Sequence, residues 1–256
     1  MGTTVNAGVE SPIYKYDSTF RTHVSGIPGN YVFEVLQSSG SYLVGWFREA
    51  LGDPELLGEP DPKLAAAAEI SPGCEGLITL PYWNAVQSPY WYSVARGAVV
   101  GWRGSHSRAH MYRSILESIG YETRLNLNFI EAGTGVKLSG LRAMGGGTRS
   151  PLWRQIMADC TGLPITLCAQ DEISALGAAL LAMAATEAYP DVATAVAQMA
   201  QYGETIEPDM KMHERYCEIA AIQRELYPKL TDTFEKLYNL NQKYPSTRPE
   251  SPKAEI

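Results

Sequence analysis

The 256-residue sequence lacks several features, and each missing feature excludes a class of protein. It contains no apolar run of about 18 residues or more, so we expect no membrane-spanning helix. The N-terminal segment MGTTVNAGVE has neither the basic region nor the apolar region of a secretory signal peptide. These two absences predict a cytoplasmic protein that has no membrane partner.

Cysteine is scarce, and the four cysteines are Cys74, Cys160, Cys168 and Cys217. No two of them have the C-x-x-C spacing of a zinc or redox site, so we expect reduced thiols and no bound metal. His106 and His110 are four residues apart and would share one helical face. The residues between them lack the glutamate of the zinc motif H-E-x-x-H, so packing or helix-capping roles are expected instead.

Basic residues are outnumbered, with 21 Lys and Arg against 28 Asp and Glu and a net charge of −7. This balance argues against a nucleic-acid partner but still allows a local basic pocket for a phosphorylated small molecule. The phosphate-loop motif G-x-x-x-x-G-K-[ST] is missing. The dinucleotide motif G-x-G-x-x-G would need Gly or Ala where Ser150 stands, so a Rossmann oxidoreductase is poorly supported.

The order of apolar and turn-forming segments predicts an α/β layered domain with a mixed sheet. Strands are expected in GTTVNAGV, YVFEVLQ, GLITLPYW, GAVVGW, KLSGLRAM and PITLCA. Helices are expected over residues 38–52, from Ser105 onwards, after Ser150, over 172–186, and in the C-terminal region from about Asp191. Pro228 is expected to kink or end the last helical region.

Helical periodicity also predicts which side chains are buried. Met111, Ile115, Leu116 and Ile119 form the expected apolar stripe of the helix that follows Ser105. The alanines at 175, 178, 179 and 182 are expected to allow very close packing against a sheet. One domain is expected over residues 1–240, with a proline-rich surface insertion near 53–73 that contains a short helix over 63–69. Residues 241–256 are expected to form a polar, disordered tail.

Three consecutive glycines, Gly145 to Gly147, separate a predicted strand from a predicted helix. Ser150 suits the N-cap position, Pro151 suits the first helical position, and Gly162 suits the end of the same helix. Glycines allow a ligand to approach the backbone, and a helix start supplies free N–H groups. The triplet is therefore either a nucleotide cradle or simply a tight strand-to-helix turn.

Four segments, in order along the chain, resemble the FGGY family of carbohydrate kinases. MGGGTRSPLWRQIMADCTGLPI resembles the adenosine-binding segment of that family, and DEISALGAALLA resembles the stretch that follows it. ARGAVVGWRGSHSRAHMYRSILE resembles the second family signature, although Trp102 replaces its usual aliphatic residue. The initial Gly2-Thr3-Thr4 resembles the turn that opens the second domain of the family, and GLITLPYWNAVQSPYWYSVARG resembles the pentulose-kinase (xylulose-kinase-like) branch.

The resemblance implies a ribonuclease-H-like domain of the actin, sugar kinase and Hsp70 superfamily, with a mixed sheet and flanking helices. It implies an ATP-dependent sugar kinase that uses Mg²⁺, of which this chain supplies the nucleotide-binding half. Gly2 and Thr3 would hold the terminal phosphate. Gly146 and Gly147, with Gly145 in the same loop, would contact the α-phosphate and ribose, and Ser150 would lie near the adenine.

The resemblance reaches only the second domain of the family, so the first domain and the catalytic aspartate have no counterpart in this sequence. Asp17, Asp159 and Asp171 do not match the catalytic position, and Asp159 is expected on the outside of its helix. We therefore assign no catalytic residue. The expected partners are ATP, a sugar, and either a separate N-terminal kinase half or a second copy of the chain. The alternative is a non-catalytic, kinase-like binding or regulatory module.

Overall fold

The computed structural model describes residues 3–52, 65–170 and 172–245. Its strands are β1 (Val5–Ser11), β2 (Arg21–Val24), β3 (Tyr31–Gln37), β4 (Ile78–Leu80), β5 (Ala98–Val100), β6 (Leu141–Ala143), β7 (Ile165–Cys168) and β8 (Tyr202–Ile206). Its α-helices are α1 (Ser41–Leu51), α2 (Arg108–Thr134), α3 (Pro151–Thr161), α4 (Ile173–Ala185), α5 (Val192–Met199) and α6 (Met210–Lys243). The predicted mixture of helices and strands is confirmed.

The described strands pair in three small sheets. β3 lies between β1 and β2 and is antiparallel to both, with Val5 opposite Gln37. β4 and β5 form an antiparallel pair. β7 runs parallel to β6, with Leu141 opposite Ile165, and antiparallel to β8, so this third sheet is mixed.

Helix α2 forms the centre of the fold and is buried on most of its surface. The predicted stripe of Met111, Ile115, Leu116 and Ile119 is buried, as expected. These side chains pack in one cluster with Phe47 of α1 and with residues of α3 and α6. Because α2 contacts helices and strands on several sides, many of its polar residues are also buried, and these require partners inside the protein.

The most densely bonded of these polar residues is Glu117, which is 1% exposed. Its carboxylate accepts a hydrogen bond from Arg113 Nε at 2.7 Å, from the hydroxyl of Tyr121 at 3.1 Å, and from the hydroxyl of Tyr216 at 3.1 Å. The backbone N–H of Gly73 donates to the same carboxylate at 3.0 Å. One buried charge therefore connects α2, α6 and the loop before β4.

Several predictions about individual elements were wrong. The strands β2 and β8 were not predicted, and α6 continues through Pro228 without ending there. The alanines of α4 do not pack against a sheet, because this helix packs on α5 and leaves Ala175, Ala178 and Ala182 exposed. The helix expected over 63–69 is described only from residue 65 and is a 3₁₀ turn over Ala66–Ala68.

Parts of the predicted insertion and tail lie outside the described residues, namely residues 53–64 and 246–256. Where the predicted tail begins, the chain is still helical, since α6 extends to Lys243. Across the part of the chain that the structure describes, no helix has the length and apolar character needed to cross a membrane.

The buried Glu117 gives a test of the core. Glu117→Ala leaves Arg113 without its carboxylate partner inside the protein, so we expect the free energy of unfolding to fall by about 3–5 kcal/mol. Glu225 and Lys229 form an exposed pair at the same helical spacing, so Glu225→Ala is the matched control and should leave stability unchanged within error. Urea denaturation of both variants measures the difference, and equal effects would contradict the assigned role of Glu117.

Candidate functional site

The glycine loop follows β6 directly and ends at α3. Gly145 has a φ of 89°, a backbone conformation that favours glycine. Residues Gly146–Arg149 then form one 3₁₀ turn. The N–H and the hydroxyl of Thr148 both donate to the carbonyl oxygen of Gly145, at 3.0 and 2.7 Å. The loop is therefore closed by its own hydrogen bonds, and it leaves Gly145 and Gly146 at the surface.

The predicted ends of α3 are confirmed. The Ser150 hydroxyl oxygen accepts a hydrogen bond from the N–H of Trp153 at 3.3 Å, and Pro151 is the first helical residue. At the other end, Gly162 has a φ of 67°, and its N–H donates to the carbonyl of Ala158 at 2.8 Å. These local signals set where the helix begins relative to the glycine loop.

Gly146 lies on the open side of the triplet. A Cβ built at this position would meet no protein atom within 4 Å, and its φ lies outside the left-handed region. By contrast, a Cβ on Gly162 would lie 2.7 Å from the ring of His213. Folding therefore requires glycine at 162 but places no such demand on 146. The space beside Gly146 is compatible with both interpretations of the triplet, and a side chain introduced there can test for a ligand.

Thr3 lies at the start of β1, beside the N-terminus of α1. Its carbonyl oxygen accepts hydrogen bonds from the N–H of Gly40 at 3.0 Å and from the N–H of Tyr42 at 3.3 Å. Gly2 lies outside the described residues. The sequence did not lead us to predict the hydrogen bond from Gly40 to Thr3. The segment S-S-G-S before α1 was the available signal, because it indicates a turn whose backbone can bond to a neighbouring segment.

A single apolar cluster supports both segments. Val5, two residues after Thr3, and Ala143, two residues before Gly145, pack in the cluster that also contains the buried Trp153. The turn at Thr3 and the glycine loop therefore start from the same core. Their relative position depends on that packing and not on flexible connections.

The expected position of Asp159 was wrong. Its side chain is buried, at 6% exposure, because the last turns of α3 pack against the start of α6. Its Oδ1 accepts hydrogen bonds from Gln155 Nε2 and from the N–H of Asp209, both at 2.8 Å. Burial raises the pKa of this carboxyl above its ordinary value. Asp159 thus joins two helices, which gives it a structural role.

Asp17 has a local structural contact. Asp17 accepts hydrogen bonds from the N–H and the hydroxyl of Thr19, at 2.8 and 2.7 Å, and so closes a local turn. These bonds lower the pKa of Asp17 below its ordinary value. Asp171 lies outside the described residues.

The paired histidines serve the start of α2. Nδ1 of His110 accepts a hydrogen bond from the N–H of Ser107 at 3.1 Å, and the two side chains form a capping box. Nδ1 of His106 accepts from the N–H of Arg103 at 3.1 Å. Within residues 3–52, 65–170 and 172–245, no group of three or more His, Cys, Asp or Glu side chains is placed to hold a metal ion.

Comparison with known proteins identifies the family. A model of the FGGY family of carbohydrate kinases, C-terminal domain, matches residues 1–186. The chain belongs to this family. The chain is 34% identical over 173 residues to a glycerol kinase of Nitratidesulfovibrio vulgaris strain DP4, covering 68% of this chain and 34% of the relative. It is 24% identical over 215 residues to a xylulose kinase of Staphylococcus epidermidis, covering 84% of this chain and 42% of the relative.

Solved structures agree with this assignment. The xylulose kinase from Rhodospirillum rubrum superposes with a TM-score of 0.77 at 28% identity, covering 91% of this chain and 47% of that protein. A glycerol kinase from Plasmodium falciparum, solved with ADP, shares the fold at a TM-score of 0.74 and 20% identity. The expected actin-like sugar-kinase fold is therefore confirmed, and the chain spans about half the length of these relatives.

The N-cap of α3 gives a test of the local structure of the FGGY domain. Ser150→Ala removes the acceptor for the N–H of Trp153, so we expect the free energy of unfolding to fall by about 1 kcal/mol. Ser150→Asp keeps a strong N-cap acceptor and should retain most of the wild-type stability. Chemical denaturation of the three proteins measures this, and an Asp variant as unstable as the Ala variant would contradict the capping role.

Proposed function

We propose that this chain is the ATP-binding half of a carbohydrate kinase that phosphorylates a sugar hydroxyl, and that an N-terminal half completes the enzyme. The observation that carries the proposal is the open, exposed side of the glycine loop at Gly146, next to the start of α3. Membership of the FGGY family supports it, as does the fold shared with a glycerol kinase solved with ADP.

The site residues have proposed roles toward the nucleotide. Gly145 and Gly146 are exposed and would let the backbone approach the α-phosphate and ribose, because no side chain there would keep the ligand away. Gly147, the third glycine of the loop, is buried in this structure. The Ser150 hydroxyl accepts from the helix, so its hydrogen remains to donate near the adenine. Thr3, with the preceding Gly2, is proposed to hold the terminal phosphate, and the bonds from Gly40 and Tyr42 fix its backbone.

The chemistry expected at this site is electrostatic. Phosphoryl transfer depends mainly on placing the terminal phosphate in line with the sugar hydroxyl and on stabilising its charge. Mg²⁺, when bound with ATP, would neutralise part of that charge. The described residues of this chain fit the binding and orienting part of the task. The carboxylate that accepts the sugar proton is proposed to come from the N-terminal half.

The proposed substrate is a pentulose-like sugar in the cytoplasm. The similarity to xylulose kinases and the segment GLITLPYWNAVQSPYWYSVARG support this choice, although glycerol kinases are also among the relatives. Tyr92 stands where this family often has an aspartate. Its hydroxyl donates to Glu235 of α6 at 2.5 Å, and this bond raises the pKa of Tyr92 to about 12. The side chain thus ties a loop to α6.

A second candidate function is a non-catalytic module that binds a partner protein. The structural use of Tyr92, which bonds to Glu235, favours it. The exposed apolar side chains of α4, such as Leu181 at 49% exposure, are consistent with a covering partner in either case. Nucleotide binding distinguishes the two functions, since only the kinase half should bind ATP.

Gly146 gives the sharpest test of nucleotide binding. Gly146→Val meets no protein atom at its Cβ, so it should fold normally, but its side chain would fill the space proposed for the nucleotide. We expect calorimetry to show that the wild type binds ATP and that the variant binds it about tenfold or more weakly. A tenfold loss corresponds to about 1.4 kcal/mol of binding free energy. Gly104→Val is the control, because a Cβ at that position also meets nothing within 4 Å.

Mixing the chain with an N-terminal half of an FGGY kinase tests the complete function. We expect ADP release that depends on the added sugar, measured by a coupled spectrophotometric assay, and neither half alone should support it. If the assembled pair binds no ATP, the kinase proposal fails. A pull-down that recovers a protein partner without any nucleotide dependence would then support the binding module.

A further inference from the structure

The second half of α6 carries an apolar stripe on its surface. Positions 226, 230, 233, 237, 240 and 244 follow one another in steps of four and three residues, which is the spacing of helices that pair in coiled coils. Leucine occupies four of these positions, tyrosine occupies the last, and Thr233 is the one polar member. Ile222 extends the stripe by one turn toward the start of the helix.

Most of the stripe is exposed to solvent. The exposed fractions are 56% for Ile222, 46% for Leu237, 51% for Leu240 and 64% for Tyr244. Large apolar side chains gain free energy when they leave water, and a contiguous exposed set marks a surface that another molecule covers. The stripe is therefore a candidate interface.

The stripe differs from the face with which α6 packs on its own domain. Phe234 lies on that inner face and is buried. At about 100° per residue, Leu237 and Leu240 point roughly 60° and 120° away from Phe234 around the helix. Pro228 falls on the opposite side from Leu237, so its ring does not interrupt the stripe. The helix can thus close its own domain with one face and present the stripe to a partner with the next.

Charged residues lie along one edge of the stripe, and their signs change along the helix. In chain order, and all exposed, they are Glu218, Glu225, Lys229, Asp232, Lys236 and Lys243. Acidic residues begin the row and basic residues end it. Lys229 and Glu225 already form an exposed ion pair within the helix, at 2.6 Å. Two copies of such a row are complementary when they run in opposite directions.

An antiparallel second copy of α6 brings each charge of this row opposite a charge of the other sign. The centre of such a pair lies between Leu230 and Thr231, where a two-fold axis would pass. The opposed residues are then Glu218 with Lys243, Glu225 with Lys236, and Lys229 with Asp232, each pair occurring twice. A parallel pair would instead place each charge beside its own copy, which is unfavourable.

The same alignment joins the two apolar stripes. Leu237 would meet Leu226 of the second copy, and Leu240 would meet Ile222, each within about 3 Å along the helix axis. The exposed apolar side chains at the end of one helix are thereby covered by those in the middle of the other. Charge and apolar patterning therefore favour one and the same register.

We propose that two copies of this chain form a two-fold symmetric dimer through an antiparallel pair of α6 helices. The apolar stripe supplies the affinity. The charged edge sets the direction and the register, because exposed ion pairs add little stability whereas opposed like charges disfavour wrong alignments. Such an interface uses the same residues of both copies, so the assembly closes at two.

A second copy matches the stripe better than the N-terminal kinase half does. Leu226 and Leu230 pack on the apolar cluster that contains Leu80, whereas the Thr3 turn and the glycine loop start from a different cluster. A partner that completes the proposed nucleotide site has to reach the surface over that other cluster. The charges along α6, by contrast, are complementary to α6 itself.

Sedimentation velocity of the purified chain tests the dimer. We expect a species of twice the 28.0 kDa chain mass, whose fraction rises with protein concentration in the absence of any nucleotide. The proposed function and the dimer can therefore fail independently. A chain that sediments as a monomer up to its limit of solubility would overturn the proposal.

Substitutions in the stripe locate the interface. The double variant Leu237→Gln and Leu240→Gln removes two exposed apolar side chains and keeps good helix formers, so its circular dichroism should match the wild type. We expect its dimer dissociation constant to rise about tenfold or more, since each substitution acts twice in a symmetric interface.

Leu181→Gln is the matched control for the double variant. Leu181 of α4 is similarly exposed, at 49%, and lies outside the stripe, so this variant should dimerise like the wild type. A dimer that dissociates in Leu181→Gln and persists in the double variant would place the interface on α4 and contradict the assignment.

Charge reversal tests the register. Glu225→Lys or Lys236→Glu alone places like charges opposite each other twice, so each variant should form a weaker dimer with itself. An equal mixture of the two variants restores every opposed pair, and we expect mixed dimers to exceed the statistical half in native mass spectrometry. A statistical mixture would argue against the proposed pairing of these charges.

A distance measurement distinguishes the two directions of pairing. Cys217 is exposed, and Cys168→Ser leaves it as the accessible thiol because Cys74 and Cys160 are buried. Spin labels on Cys217 of the two copies should lie about 40 Å apart in the antiparallel pair, from the rise of about 1.5 Å per residue. A parallel pair would bring the labels within about 25 Å of each other, and this result would overturn the proposed geometry.

Discussion

The carboxylate of Glu117 is the interaction on which the rest of the fold depends. It is a negative charge held out of water, so every element that donates to it is constrained in distance and direction. Arg113 and Tyr121 come from the same helix, whereas Gly73 and Tyr216 come from distant parts of the sequence. The apolar cluster around α2 supplies most of the burial, but this charge sets which side chains must meet at its centre.

The site is arranged as a consequence of that core. Val5 of β1 and Ala143 of β6 pack in the apolar cluster around α2 and α3, and the Thr3 turn and the glycine loop each lie two residues from these side chains. The site is accordingly built from backbone groups on rigid supports, which suits the recognition of phosphates and a ribose. In the proposed function this site would bind and orient the nucleotide, and the carboxylate that accepts the sugar proton is proposed to come from the N-terminal half.

Local signals in the sequence predicted local structure well. Ser150, Pro151 and Gly162 act within a few residues of their own position, so the ends of α3 followed from them directly. The strand β2 was missed because most of its residues are polar, and its pairing with β3 decides its structure. The prediction that Asp159 lies on the outside of α3 was wrong, because periodicity within α3 carries no information about the later helix that covers this residue.

The last helix, α6, has a consequence for where this domain ends. The family match stops at residue 186, yet α6 spans Met210–Lys243. Tyr216 completes the set of donors to the Glu117 carboxylate, and Gln223 donates to the carbonyl of Thr79 at 3.1 Å. A helix beyond the residues that the family model matches therefore closes the centre of the domain. The folding unit extends past residue 186, and residues 1–186 alone would have an open core.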